Sequence, residues 1–425
     1  MNKNCRKIYL YIFCPLFLAP YFSKAQNFTS SPYSMYGVGE LRTQTNAAST
    51  AMGNTGIGLS TNKFINLLNP ASTSGLDSSN FVFNIGGESK YSRFKTSLKT
   101  ANAKNANLSY LAMGLRVNNW LSMGLGVNPF STAGYDINTR ATIDGSTYTY
   151  PLEIIGSGNI SRAYFSFAVV PVKNLSIGVR NSYLFGSLVQ TQYHNLAAIS
   201  SVSVSSEITD YFRNFYWEFG VQYNFDLKQG KQFSVGAIFT PGQHFVTQHE
   251  IQTYSTSGLI YDAETENKHD FSIPQEYGLG LVYSSPKMMY LLDAGIQMWS
   301  KNDYDDEDFQ SVQSVQLEDS PYVRAGVEYT PSKHFLDKYY KKISYRLGYQ
   351  YSKSYLSLRS YQSRENVVSL GFGLPLNNDR SRIDISIEGG TKGQVGSVKI
   401  IKENFIRFRI GFSLIDLWFQ QRKYN

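Results

Sequence analysis

Polar and apolar residues change places at every step through long stretches of this chain. From 343 to 351 it reads I-S-Y-R-L-G-Y-Q-Y. On an extended strand successive side chains point to opposite faces. Ile343, Tyr345, Leu347, Tyr349 and Tyr351 therefore share one side, and Ser344, Arg346, Gly348 and Gln350 the other. The same pattern sets Trp217, Phe219, Val221 and Tyr223 against Glu218, Gly220 and Gln222, and Ile406, Phe408, Ile410, Phe412 and Leu414 against Arg407, Arg409, Gly411 and Ser413. An oily face of this kind is either the core of a soluble sandwich or the lipid face of a transmembrane barrel, with charged and glycine positions turned to the lumen.

The connections decide between the two. About fourteen such segments are legible, near 81–91, 105–116, 120–130, 158–169, 175–189, 214–225, 232–240, 272–284, 289–299, 321–330, 342–352, 365–376, 381–390 and 403–416. Short connections at 117–119, 170–174, 226–231, 285–288 and 377–380, and a longer one at 331–341, take turns with long polar ones near 92–104, 131–157, 190–213, 241–271, 300–320, 353–364 and 391–402. Outer-membrane barrels have short periplasmic turns, longer outside loops and an even strand number. A sandwich has no reason to sort its connections by parity. The expected fold is all-β: a closed antiparallel transmembrane barrel of about fourteen strands, since an open edge in hydrocarbon would leave amides and carbonyls unpaired. Trp120, Phe130, Trp299, Tyr322 and Trp418 near strand ends suit the interfacial girdles.

The chain begins like an export signal. Lys3, Arg6 and Lys7 precede an apolar stretch from Ile8 to Ala19, and Ser23-Lys24-Ala25 forms a small-x-small cleavage site. Both cysteines, Cys5 and Cys14, lie inside it, so the mature chain is expected to hold no disulfide or thiolate chemistry. Removal of 1–25 takes away Lys3, Arg6, Lys7 and Lys24 and no acid, lowering the formal charge from +8 to +4. That leaves little electrostatic case for a nucleic-acid partner. The expected location is the outer membrane of a Gram-negative cell, among its lipids and lipopolysaccharide, with both mature termini periplasmic.

Residues 26–80 differ from the barrel region at 81–425. They contain S-P-Y-S-M-Y-G-V-G-E, A-M-G-N-T-G-I-G-L-S and F-I-N-L-L-N-P-A-S-T-S-G-L. Few charges and many apolar residues make this too ordered for a tail, and its glycines make it too broken for a spanning strand. The expectation is a plug, or hatch, in the lumen; the other reading is a segment that only seals and stiffens the periplasmic mouth. Inward charges at Glu218, Arg324, Glu328, Arg346, Asp384, Glu388, Arg407 and Arg409 would then form ion pairs fixing the plug, because buried charges need partners.

Signals of catalysis are poor. His194, His244, His249, His269 and His334 make no HExxH or other dense ligand spacing, and the nucleophile elbow and phosphate loop are missing. His244 and His249 fall in one expected outside loop, where solvated histidines are the commoner case. The acidic run D-Y-D-D-E-D carries Asp303, Asp305, Asp306 and Asp308, which offer hard oxygen ligands to Ca²⁺ or a divalent bridge to lipopolysaccharide. It lacks the glycine and spacing of an EF-hand, and a solvated loop is the plainer reading. No cofactor and no enzyme activity are expected.

A β-chain that opens with M-G-N-T-G-I-G and N-P-A, runs through about fourteen strands and ends D-L-W-F-Q-Q-R-K-Y-N resembles the FadL-like outer-membrane transporters of long-chain fatty acids and hydrocarbons, in the style of their divergent relatives in the Bacteroidota. The resemblance spans the mature chain. It implies a monomeric fourteen-stranded barrel with an N-terminal hatch, matched here by Gly53, Asn54, Gly56, Gly58, Asn69, Pro70 and Ala71. It implies either of two functions. One is passive uptake of a hydrophobic or amphipathic small molecule. The other, also known among such relatives, is partnership in a larger outer-membrane machine for protein secretion or barrel assembly. The absence of a long apolar outside loop and the long basic turn at 331–341 keep the second reading open.

Overall fold

The structure, a computed structural model, describes residues 31–417 apart from 79, 98, 144, 197–202, 246, 267–270, 302–314, 333, 335, 359, 377–380 and 396–400. Fourteen antiparallel strands close into a barrel. They are β1 Asn80–Lys95, β2 Thr100–Arg116, β3 Leu121–Thr142, β4 Thr149–Val172, β5 Leu175–His194, β6 Val204–Asp226, β7 Gln232–Thr240, β8 Gln275–Ser284, β9 Met288–Met298, β10 Ser320–Tyr329, β11 Ser344–Leu358, β12 Tyr361–Pro375, β13 Arg382–Lys392 and β14 Lys402–Leu417. The seam is β1 against β14, paired from Asn80–Leu417 to Lys95–Lys402. No described helix is long and apolar enough to cross a membrane; the crossing is made by strands.

The alternation legible in the sequence sorts the faces. Phe215, Trp217, Phe219, Val221, Tyr223 and Phe225 of β6 stand exposed on the outer surface, as do Leu279 and Leu281 of β8 and Ile406, Phe408 and Ile410 of β14. So continuous an apolar surface is stable only against lipid. This is an outer-membrane β-barrel. Trp120 lies exposed at one rim, but Trp299 and Tyr322 are buried inside and Phe130 packs edge-on to the buried Tyr216. These three are not girdle residues: on β10 the outward row is Val323, Ala325 and Val327, so parity turns Tyr322 inward. Trp418 lies outside the described residues.

One side of the wall is much taller than the alternation indicates. Strands β3 to β6 run for 22, 24, 20 and 23 residues, whereas a spanning strand needs about 9–11. On β6 the lipid row ends at Phe215; above it, Val204 to Phe212 pairs with Ser255 to Thr247, the first arm of a hairpin completed by Gly258–Glu266. At a rise of ~3.3 Å and a tilt of ~40° that extension stands about 25 Å above the lipid. Much of the sequence expected to be loop at 131–157, 190–213 and 241–271 is therefore strand. Outside the bilayer neither face has to be oily, so the period-two signal fades while the ladder continues.

Between β2 and β3 the wall parts. Their ladder covers only Leu111 to Arg116 against Val127 to Ser122, while β3 stays paired with β4 up to Thr142–Thr149. The released edge of β3 is taken by the chain before β1: Glu40 and Leu41 pair with Thr132 and Ser131, and the Arg42 N–H donates to the Phe130 carbonyl at 2.9 Å.

Candidate functional site: the filled lumen

The inward face of the barrel carries a belt of glycines, paired in register as Gly114–Gly124, Gly178–Gly220 and Gly326–Gly348. The segment 46–76 rests on it, with backbone of Met52, Gly53, Pro70 and Ala71 at Gly326, Gly348 and Gly178, and side chains of Ile65, Thr73 and Leu76 at Gly114 and Gly124. A methyl on Gly348 would land on the amide nitrogen of Gly53, and one on Gly178 on the amide of Ala71. Only positions without Cβ let two backbones approach this closely.

The inner segment is shaped by its own caps and turns. Asn46 caps the single helical turn Ala47–Thr50 by accepting from the Ser49 N–H at 2.8 Å. Gly53 (φ 70) and Asn54 (φ 61) then reverse the chain in the left-handed region. Asn69 caps the 3-10 turn Pro70–Gly75, its Oδ1 accepting from the Ala71 N–H at 3.0 Å while its amide donates to the Ile57 carbonyl at 2.8 Å. Gly58 lies over Gly280 of β8.

Side chains of the wall then hold this backbone. Asp293 of β9 accepts from the N–H groups of Gly56 and Ile57 at 2.7 and 3.0 Å. Gln222 donates to the Ile57 carbonyl at 2.9 Å, and Arg180 to that of Leu67 at 2.9 Å. The Gly53 N–H reaches the Ser369 hydroxyl at 2.9 Å, and the Asn54 amide donates to Gln350 at 2.9 Å and Glu388 at 3.1 Å.

The inward charges fall into clusters. Glu218 lies between Arg162 at 3.0 Å and Arg180 at 3.4 Å. Arg346 bridges Glu328 at 2.7 Å and Asp384 at 2.6 Å, with Arg382 on Asp384 at 2.9 Å. Arg407 meets Glu388 at 2.9 Å. Glu88 joins wall to plug, taking Arg409 at 2.8 Å on one oxygen and Arg42 at 2.6 Å on the other, while Arg409 also donates to Thr45 and Thr50. Lys90 holds Glu40 at 3.0 Å and Glu403 at 2.9 Å. Burial alone would raise the Glu40 carboxyl; Lys90, with Lys392 and Arg42 behind it, holds it well below the ordinary range. Arg324 is the exception among the inward arginines read from the sequence. It donates to the Asn54 carbonyl at 3.4 Å and stacks on the Tyr322 ring with its carbon 4.0 Å from the centroid.

Sequence reasoning missed Arg162, Arg180, Asp293, Gln222 and the Lys90–Glu40–Glu403 cluster. Asp293 and Gln222 had a signal, since each stands opposite an apolar row on its strand. Glu40 had none, because its partner is set by the path of the inner segment. His249 was read as solvated. It is buried, with Nδ1 2.6 Å from Asp210, its cross-strand partner, while His244 Nδ1 lies 2.8 Å from the Ser272 hydroxyl. Among the described residues no group of three or more His, Cys, Asp and Glu is placed to hold a metal ion. Asp303, Asp305, Asp306 and Asp308 lie outside the described residues.

The space beside the plug has a mixed lining, charged and apolar. A cavity of about 210 Å³ lies against the plug, lined by Glu40, Arg42, Glu276, Arg324, Gln350 and Arg407 among others. Tyr355 and Leu356 line it too, and they belong to an apolar cluster with Val38, Phe212, Ile273 and Trp299. Within this cluster the Trp299 and Tyr355 rings pack 4.5 Å apart and the Tyr355 hydroxyl donates to the Gly39 carbonyl at 2.7 Å. Between the glycine belt and this apolar cluster the lumen holds the plug, the charged clusters and this cavity.

The model of one protein family, described as BamG, matches residues 5–425. The chain belongs to the BamG family. No curated protein matches it by sequence. Among solved structures, this BamG-family chain is similar to the toluene transporter TodX of Pseudomonas putida, with a TM-score of 0.59 and 15% identity over 89% of this chain and 100% of that one. It is also similar to a FadL homologue of Pseudomonas aeruginosa, with a TM-score of 0.59 and 12% identity over 89% and 99%. A third is the CymD monoaromatic hydrocarbon channel, with a TM-score of 0.57 and 14% identity over 87% and 97%. What these proteins share with the BamG-family chain is the fold.

Proposed function

We propose that this chain is a non-enzymatic structural subunit of an outer-membrane complex that secretes proteins or assembles barrels, and that its lumen does not conduct. The plugged lumen carries the reading. A route for hydrophobic molecules needs a continuous apolar passage, whereas here the plug backbone sits on the glycine belt and charges such as Glu276, Arg324 and Arg407 break up the apolar lining of the residual cavity. Membership of the BamG family fits it. In this reading residues 1–25 are removed on export, the short turns and both ends of the mature chain face the periplasm, and the tall wall of β3 to β6 stands outside the cell. Affinity purification of the tagged protein from native outer membranes in mild detergent tests it. Stoichiometric partner proteins retained at high salt are the expected result, and a lone barrel would overturn it.

A second reading has its own observation. The wall parts between β2 and β3, and the fold is that of the hydrocarbon channels, which favours passive uptake of a hydrophobic small molecule. Residues 39–42 occupy that parting, which places this reading second. A defined hydrophobic ligand on a partner-free barrel would promote it.

A further inference from the structure

The connection from β10 to β11, residues 330–343, is the longest on the short-turn rim. It is folded by its own hydrogen bonds: the Ser332 N–H donates to the Lys341 carbonyl at 2.8 Å, and the Lys341 N–H to that of Lys338 at 3.0 Å. Asp337 is the one acid in the stretch, and it is taken by the Ser332 hydroxyl. The result is a helical turn, Tyr339–Lys342, in a stretch whose lysines, Lys333, Lys338, Lys341 and Lys342, outnumber that acid.

This turn is fixed against the lipid face. Tyr345 is on the outward row of β11, and its hydroxyl donates to the Tyr340 carbonyl at 3.0 Å. Met288, Tyr329, Tyr345 and Phe372 follow one another as cross-strand partners at this level. That is an interfacial belt, where aromatic rings meet lipid headgroups. Beside it Leu336 is 82% exposed, the highest value for a large apolar side chain among the described residues, and Tyr339 and Tyr340 are about half exposed. The side chains of Lys338 and Lys341 are exposed as well. An apolar side chain this bare is unfavourable in water and favourable at a membrane surface, and ammonium groups at that depth meet phosphates.

We propose that this turn binds the headgroup of an anionic phospholipid in the adjoining leaflet, with Lys338 and Lys341 on the phosphate and Leu336, Tyr339 and Tyr340 in the interface. The proposal does not depend on the subunit reading above. An acidic protein segment would use the same charges, but would not explain why the turn is tied to the lipid-facing Tyr345.

The test is native mass spectrometry of the full-length protein, extracted in mild detergent and incubated with equal amounts of phosphatidylglycerol and phosphatidylcholine. The unaltered protein should retain phosphatidylglycerol several-fold over phosphatidylcholine, and a Lys338→Glu/Lys341→Glu variant should lose that preference. Neither lysine supports the barrel, so folding is checked independently by the heat-dependent gel shift of the intact barrel. No preference in the unaltered protein, or equal preference in the variant, would overturn the proposal. So would a variant that keeps its lipid but loses a stoichiometric protein, which would assign the charges to an acidic partner instead. The subunit reading fails on different evidence, the absence of any partner.

Discussion

At the level of single residues, the lumen depends on positions with too little side chain and positions with too much charge. Gly348→Ala adds one methyl where the Gly53 backbone already lies. It should destabilise the barrel by about 1–3 kcal/mol through overpacking, read as an earlier heat-dependent gel shift. Gly389→Ala is the control, because nothing lies within 4 Å of the added carbon; it should leave that shift unchanged. Equal effects would remove the glycine belt from the account. Arg346→Met leaves Glu328 and Asp384 facing each other without the cation between them. Arg382 stays 2.9 Å from Asp384 and Lys63 3.8 Å from Glu328, so the loss should be at or below the about 3–5 kcal/mol of a broken buried pair, and unfolding in urea should show it. The sequence indicated that Gly348 and Arg346 both face inward, because parity alone decides that. It did not indicate which carboxylates Arg346 would meet, since Glu328 and Asp384 reach it from neighbouring strands through register rather than through spacing.

At the level of elements, fourteen strands were legible because each has to present an oily row to lipid. Ile410 is in such a row on β14, flanked by Gly87 and Ile385. Ile410→Arg should cost about 2–4 kcal/mol near the bilayer midplane, measured as reduced folding into lipid vesicles; normal insertion would invert the assignment of faces. The upper halves of β3 to β6 were not legible for the converse reason. Above the Phe215 level water is available to both faces, so residues such as Ser205, Glu207 and Thr209 carry no alternation of hydropathy although they are paired in a continuous ladder with the hairpin. The inner segment was legible as ordered from its glycines and N-P-A, but its path was not. Gly39 has to pass within reach of the Thr132 carbonyl, and Glu40 to find Lys90, through contacts between residues far apart in the sequence.

At the level of the whole molecule, the plug and wall form one interior. In planar bilayers the intact protein should show no sustained ion conductance. A variant lacking 45–76, provided it still gives the heat-dependent shift of a folded barrel, should open a polar pore lined by the same charges. Steady conductance from the intact protein would return the uptake reading to first place. This result would also separate a structural role from a transport one without any knowledge of partner or ligand.

The belt of glycines also constrains the order in which the molecule can form. The plug lies against strands from β2 around to β14, with the Leu76 side chain on Gly114 and the Ala47 methyl on Gly411. A closed ring offers no way to thread a folded segment with that fit into its interior. Residues 46–76, although made first, have to be in position before β1 and β14 zip together, two strands whose ladder joins the beginning and end of the barrel. The ring can therefore close only on a seated plug, and any error in seating it is carried as an open, edge-exposed sheet until it is corrected.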